Sequence, residues 1–149
     1  MTARPTLTRN QTLVLQTLTA AFEPLSAYAI LDRLRDDGFR APLQVYRALD
    51  KLLETGLVHR LDSLKAFVAC SHPHEHGGED MVAFAICENC ARVWEFSDSK
   101  IEDRFSAWAG AEDFLTKTTT LEISGLCAAC RLGGPPAKAG VSAETRRRR

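Results

Sequence analysis

No stretch of this chain approaches the ~18 consecutive apolar residues that a membrane span needs. Its opening residues, M-T-A-R-P-T-L-T-R-N-Q, hold no apolar run of signal-peptide length. The expectation is a cytoplasmic protein with no membrane partner. Net charge is missing too: 19 Lys and Arg balance 19 Asp and Glu. A disulfide framework is not expected, because five cysteines are an odd number and a reducing compartment keeps thiols reduced. Metal ligation or redox chemistry is their default reading. Internal repeats are absent apart from two C-x-x-C motifs.

What is there suffices for a core. Of 149 residues 45% are hydrophobic, enough for one domain or for two small ones that lean on each other or on a second copy. The charge is unevenly spread. Residues 1–68 hold nine Lys/Arg and seven Asp/Glu, residues 69–130 four and eleven, and residues 131–149 six and one. An acidic middle between basic ends argues against one uniform binding surface and suits a cation-binding region.

The first segment reads as helices. Thr8 and Gln11 have capping-box spacing, Leu13, Val14, Leu15, Leu18, Ala21 and Phe22 follow with helical periodicity, and Pro24 ends the run. Ser26 can cap a second helix with Ala27, Ile30, Leu31 and Leu34 on one face, stopped by Gly38. Pro42 opens a third helix that ends before Gly56. Its apolar stripe is Val45, Leu49, Leu52 and Leu53, and its opposite face carries Gln44, Arg47 and Lys51. The second and third helices form a helix-turn-helix. Strands at 57–62 and 66–70, joined by a turn at Asp62–Lys65, add the hairpin wing of a winged helix.

The expected fold is α+β. An N-terminal winged helix-turn-helix domain (1–70) is followed by a hinge loop (71–81). A small αβ domain (82–131) and a disordered basic tail (132–149) complete it. In the αβ domain, V-A-F-A-I-C and A-R-V-W-E-F read as strands around C-E-N-C. Ser97 or Asp98 can cap a helix with Ile101, Phe105 and Trp108 in register, and T-K-T-T-T-L-E-I-S reads as a last strand. About fifty residues make a poor independent core, so pairing with a second copy is expected.

Cys87-x-x-Cys90 and Cys127-x-x-Cys130 stand 36 residues apart. Two such pairs supply the four thiolates of a structural zinc. The alternative is a pair of thioredoxin-type redox motifs or buried thiols, but two such motifs in one cytosolic domain favour metal. No catalytic partner lies between the cysteines, and a site closed by four protein thiolates holds structure rather than performing chemistry. Outside that set remain His59 and Cys70 on the two wing strands, His72, His74 and His76 in C-S-H-P-H-E-H, and Glu95 after Cys90. His59, Cys70, a loop histidine and Glu95 would make a mixed second site tying the two domains together. A thiolate there favours zinc over iron(II) or manganese(II). His59 as a core histidine, Cys70 as a buried thiol, and His72 and His74 as solvated loop residues are the plain alternatives. Arg47 is central on the exposed face of the third helix and can bond guanine in bidentate fashion, with Gln44 and Lys51 flanking it for base or phosphate contacts. The R-R-R-R tail reads as a solubilising end; non-specific phosphate attraction is its alternative role.

The stretches S-A-Y-A-I-L-D (26–32), V-Y-R-A-L-D-K-L-L-E-T-G-L-V-H-R (45–60), C-E-N-C and G-L-C-A-A-C (125–130) resemble the ferric uptake regulator family over about residues 7–131. H-R after G-L-V, with Cys70 ending the wing, is most similar to its zinc uptake regulator branch. The resemblance implies a homodimeric repressor that binds double-stranded operator DNA, with about two zinc ions per chain, zinc as corepressor, no small-molecule substrate and no enzyme activity. It implies Cys87, Cys90, Cys127 and Cys130 as structural ligands, and His59, Cys70, a hinge histidine and Glu95 as regulatory ones. In that branch the histidine stands seven residues before the first C-x-x-C, where this chain has Asp80 in a loop about two residues longer. His76 is the nearest histidine, His74 the next, and Asp80 itself could ligate. Arg47 and Tyr28 are implied as DNA contacts. Thr8-Arg9-Asn10-Gln11 and Gln44 depart from the family pattern, so contacts and operator can differ. A same-fold sensor of iron, manganese or peroxide, a thiol enzyme using Cys70 and His59, and a zinc-ribbon adaptor are the rival readings.

Overall fold

The computed structural model describes residues 6–21, 23–71 and 81–133. The hinge histidines His72, His74 and His76, Asp80, and the tail from residue 134 lie outside the described residues. The chain divides into two compact units, residues 1–73 and 74–149.

In the first unit, helix α1 (Arg9–Ala20) begins where the capping box requires. Thr8 Oγ1 accepts from the Gln11 N–H at 3.3 Å, and Gln11 Oε1 accepts from the Thr8 N–H at 2.9 Å. Helix α2 (Ala27–Arg33) is capped by Ser26 Oγ, which accepts from the Ala29 N–H at 3.1 Å. The segment expected to continue it to Gly38 instead tightens into a 3-10 turn over Arg35–Asp37, closed by Gly38 at φ +96°. Helix α3 (Pro42–Glu54) starts with proline at its first position. Strands β1 (Val58–Leu61) and β2 (Ala66–Ala69) pair antiparallel, Val58 opposite Ala69 and Leu61 opposite Ala66. Leu25 and Phe67 exchange backbone hydrogen bonds at 3.0 and 2.8 Å, which stitches the chain before α2 to the wing. Val14, Leu18, Ile30, Leu31, Val45, Leu49, Leu52, Val58 and Phe67 are buried together in one core that all three helices and the wing share. The architecture is the expected winged helix-turn-helix.

The second unit is built on β3 (Val82–Cys87), whose side chains are nearly all buried. Strand β4 (Val93–Phe96) pairs with it antiparallel. Helix α4 (Ser99–Ala111) is capped by Asp98, whose carboxylate accepts from the N–H groups of Lys100 and Ile101. Strand β5 (Thr120–Gly125) returns parallel to β3 on its other edge, giving the order β4-β3-β5. A short helix α5 (Ala128–Arg131), unanticipated from the sequence, ends the described chain. The stripe expected along α4 is only partly covered: Ile101 is half-buried, whereas Phe105 is 46% and Trp108 56% exposed.

Candidate metal centre and nucleic-acid interface

The four cysteines of the second unit converge because of strand register. Cys87 ends β3 opposite Gly125 of β5, so Cys127, two residues further on, arrives beside it. The Glu88 N–H donates to the Gly125 carbonyl at 2.9 Å, and the Cys127 N–H donates to the Cys87 sulfur at 3.4 Å. The C-E-N-C turn closes through the Ala91 N–H to the Cys87 carbonyl at 2.9 Å, with Ala91 in the left-handed region at φ +57°. That turn brings Cys90 back over Cys87. Cys127 forms the N-terminal boundary of α5 and Cys130 sits inside it.

All four sulfurs lie within 4.8 Å of one another, and Cys90 and Cys127 are 3.9 Å apart. A tetrahedron of Zn–S bonds ~2.3 Å long has edges of about 3.8 Å. The spacing therefore fits a shared tetrahedral ion and is far beyond the ~2.05 Å of a disulfide. No disulfide joins any of the five cysteines.

The thiols titrate unevenly. Backbone N–H groups, first that of Cys127 and then that of Cys90, pull the Cys87 thiol down to about 6 against the opposing effect of burial. Desolvation raises the Cys90 thiol. At Cys130 the Asn89 side chain favours the thiolate, but desolvation and the neighbouring sulfurs of Cys127, Cys87 and Cys90 outweigh it and push the thiol up to about 12. One thiolate forms readily and the next are opposed by crowding. A divalent cation removes that opposition, so the donor set and its electrostatics suit zinc. Asn89, within the C-E-N-C turn, lowers the Cys130 thiol, an influence the spacing of the cysteines does not reveal.

In the first unit the wing brings His59 and Cys70 together. His59 lies on β1 opposite Val68, with its Nε2 shielded from solvent. Cys70 follows β2, and its N–H donates to the Leu57 carbonyl at 2.9 Å. A ring nitrogen of His59 and the Cys70 sulfur lie within 4.8 Å of each other. Glu95, in the second unit, is half-buried on β4 opposite Phe84. His76 lies outside the described residues.

The exposed face of α3 is less uniform than its sequence suggests. Arg47 is exposed and, among the described residues, makes no ion pair or hydrogen bond. Tyr28, on α2, is 63% exposed. Lys51 is engaged by Glu54 at 3.0 Å, a solvent-exposed pair that is readily exchanged. Gln44, expected as a base or phosphate contact, also caps the start of α3. Its Oε1 accepts from the backbone N–H groups of Arg40 at 2.6 Å and Ala41 at 3.0 Å. Ala41 at the N-cap has no side-chain acceptor to offer the helix start, and Gln44 ties down the chain entering it instead.

The model of the ferric uptake regulator family matches residues 2–124. The chain belongs to that family. The zinc uptake regulation protein of Escherichia coli K12 is 37% identical over 125 residues, which cover 83% of this chain and 72% of that protein. Among solved structures, the zinc uptake regulator complexed with zinc and DNA superposes with a TM-score of 0.80 at 34% identity, covering 86% of this chain and 85% of that one. The crystal structure of holo XcZur gives 0.76 at 40% identity, covering 85% and 86%.

Proposed function

We propose that this chain is a zinc-responsive, DNA-binding transcriptional repressor of zinc uptake genes, with zinc as its corepressor, and not an enzyme. The observation that carries the reading is the His59–Cys70 pair on the wing of a helix-turn-helix unit. It is a sulfur-and-nitrogen donor set additional to the four-thiolate cluster, and it sits on the hairpin that follows the helix-turn-helix. Cys87, Cys90, Cys127 and Cys130 hold a structural zinc, and His59, Cys70, His76 and Glu95 hold a regulatory one, giving about two per chain. The regulatory ion supplies a cross-link among thiolate, imidazole and carboxylate. His59 and Cys70 anchor it to the wing, and His76 and Glu95 extend the set across the hinge, so that filling the site selects one arrangement of the reading helices. The protein acts as a homodimer on double-stranded operator DNA, with Arg47 reading bases and Tyr28 contacting the duplex.

Support for the dimer comes from the second unit, where Phe105, Trp108, Phe114, Leu115, Ile123 and Leu126 are all exposed. A unit of this size leaving that much apolar surface bare is suited to a second copy.

The test is zinc per chain before and after mild chelation, with binding to operator-type DNA followed on the same samples. Loss of one of two zincs together with DNA binding, both restored by added zinc, supports the reading. One zinc throughout with unchanged DNA binding overturns it. Equal restoration by iron(II) or manganese(II) would move the assignment to a same-fold sensor of those metals.

A further inference from the structure

We propose that Leu43 reads a thymine methyl group, making it a specificity-determining residue one turn before Arg47. The inference rests on the DNA-reading function proposed above. Helix α3 buries Val45, Ala48, Leu49 and Leu52. The opposite stripe therefore runs through Leu43, Arg47, Asp50 and Glu54, spaced four, three and four residues apart. All four are exposed, Leu43 at 56%.

That stripe has two unlike halves. Its C-terminal half carries the carboxylates of Asp50, which a phosphate backbone repels, and of Glu54, whose charge is partly offset by Lys51 at 3.0 Å. The first turn of α3 has no acidic residue. The N-terminal half is thus the part that can approach the major groove, as recognition helices do. Within the first turn, Pro42 is short and half-buried. Gln44 is bent back onto the N–H groups of Arg40 and Ala41. Leu43 is left as the long side chain projecting outward there, and it has no polar atom with which to bond a base edge. The apolar feature of the major groove is the thymine C5-methyl. A lone exposed leucine would mean little elsewhere on a surface. Here it stands where base edges arrive.

The zinc-loaded full-length chain is first used to select duplexes from a pool with a randomised central segment. Each thymine of the enriched duplex is then replaced singly by deoxyuridine, which removes only the methyl, and Kd is measured at fixed salt for the wild type, Leu43→Ala and Leu43→Met. The expected result is a position at which the replacement weakens wild-type binding roughly fourfold, the worth of one buried methyl at ~0.8 kcal/mol. It leaves Leu43→Ala unaffected, and Leu43→Met keeps the preference. If every replacement shifts wild type and Leu43→Ala equally, Leu43 reads nothing and the inference falls while the regulator reading stands. If the zinc-loaded chain enriches no duplex, the regulator reading fails and this inference with it.

Discussion

The sulfur of Cys90 stands 3.9 Å from that of Cys127, across 36 intervening residues. One belongs to the turn after β3 and the other opens α5, so a shared ion would close the second unit at the end where β3 and β5 both terminate. Little apolar burial backs this closure, since β5 is mostly exposed. Zinc should therefore be a main source of the unit's stability, on the order of 10 kcal/mol for a structural site. Cys90→Ser or Cys127→Ser is expected to lose that zinc and the cooperative unfolding of the second unit. Metal analysis together with a thermal melt checks this; unchanged zinc content and melting would refute the shared site.

The pH dependence of zinc uptake has a definite sign. Metal-bound cysteines are thiolates. At pH 7, Cys90 and Cys130 still carry protons, since both thiols are raised, the latter to about 12, whereas Cys87, near 6, has mostly lost its own. Zinc binding must then release at least two protons, and affinity must rise with pH. Below about 6 Cys87 is protonated as well, so affinity should fall more steeply there. A chelator competition series from pH 8 to 5.5 should show log K dropping by about two or more per unit, with a steeper limb at the acid end. A flat profile would mean the thiols are not the ligands.

Much of this architecture was legible because its signals are local. Thr8 with Gln11, Ser26 and Asp98 mark helix starts by chemistry that needs no tertiary information. C-x-x-C spacing likewise points to a knuckle, and the parallel β3–β5 register then brings the two knuckles together. The capping role of Gln44 was not legible because capping usually comes from the N-cap side chain, and Ala41 has none; the substitute acceptor shows only in three dimensions. Periodicity placed Phe105 and Trp108 on one face of α4 but could not say that this chain leaves that face uncovered. Helix α5 is too short for any period to register.

The division of labour on α3 separates two substitutions that look alike in sequence. Gln44→Ala removes the acceptor for two backbone N–H groups and should cost about 1 kcal/mol of stability, as loss of a helix cap does. Its base preference should stay put. Arg47→Ala should leave the melt nearly unchanged and cost about 1–3 kcal/mol of discrimination at the base it contacts. Thermal melts and binding to single-base operator variants check both. A Gln44→Ala protein with normal stability and altered base preference would restore Gln44 as a reader.

Trp108 and Phe114 pack ring to ring at 5.6 Å while both remain more than half exposed. Such a bare aromatic pair beside Phe105 is the centre expected of a dimer face. Trp108→Glu should raise the dimer dissociation constant by two or more orders of magnitude, since each of the two protomers loses a hot-spot aromatic worth ~2 kcal/mol or more and gains a charge. Sedimentation equilibrium reads this directly. A variant that stays dimeric at nanomolar concentration would place the interface elsewhere.

Cys70 separates sensing from folding. Its sulfur lies beside His59 in the wing, whereas all four sulfurs of the other cluster belong to the second unit. Cys70→Ser exchanges a soft donor for a hard, weakly ligating hydroxyl without touching that cluster. The variant should keep its structural zinc, its melt and its dimer. It should lose the zinc-dependent gain in operator affinity, a coupling whose usual size is roughly 5- to 150-fold. Titrating zinc into variant and wild type at fixed operator concentration measures that gain. Full zinc-dependent binding by Cys70→Ser would take the wing thiol out of the sensing site and leave His59 an ordinary strand residue.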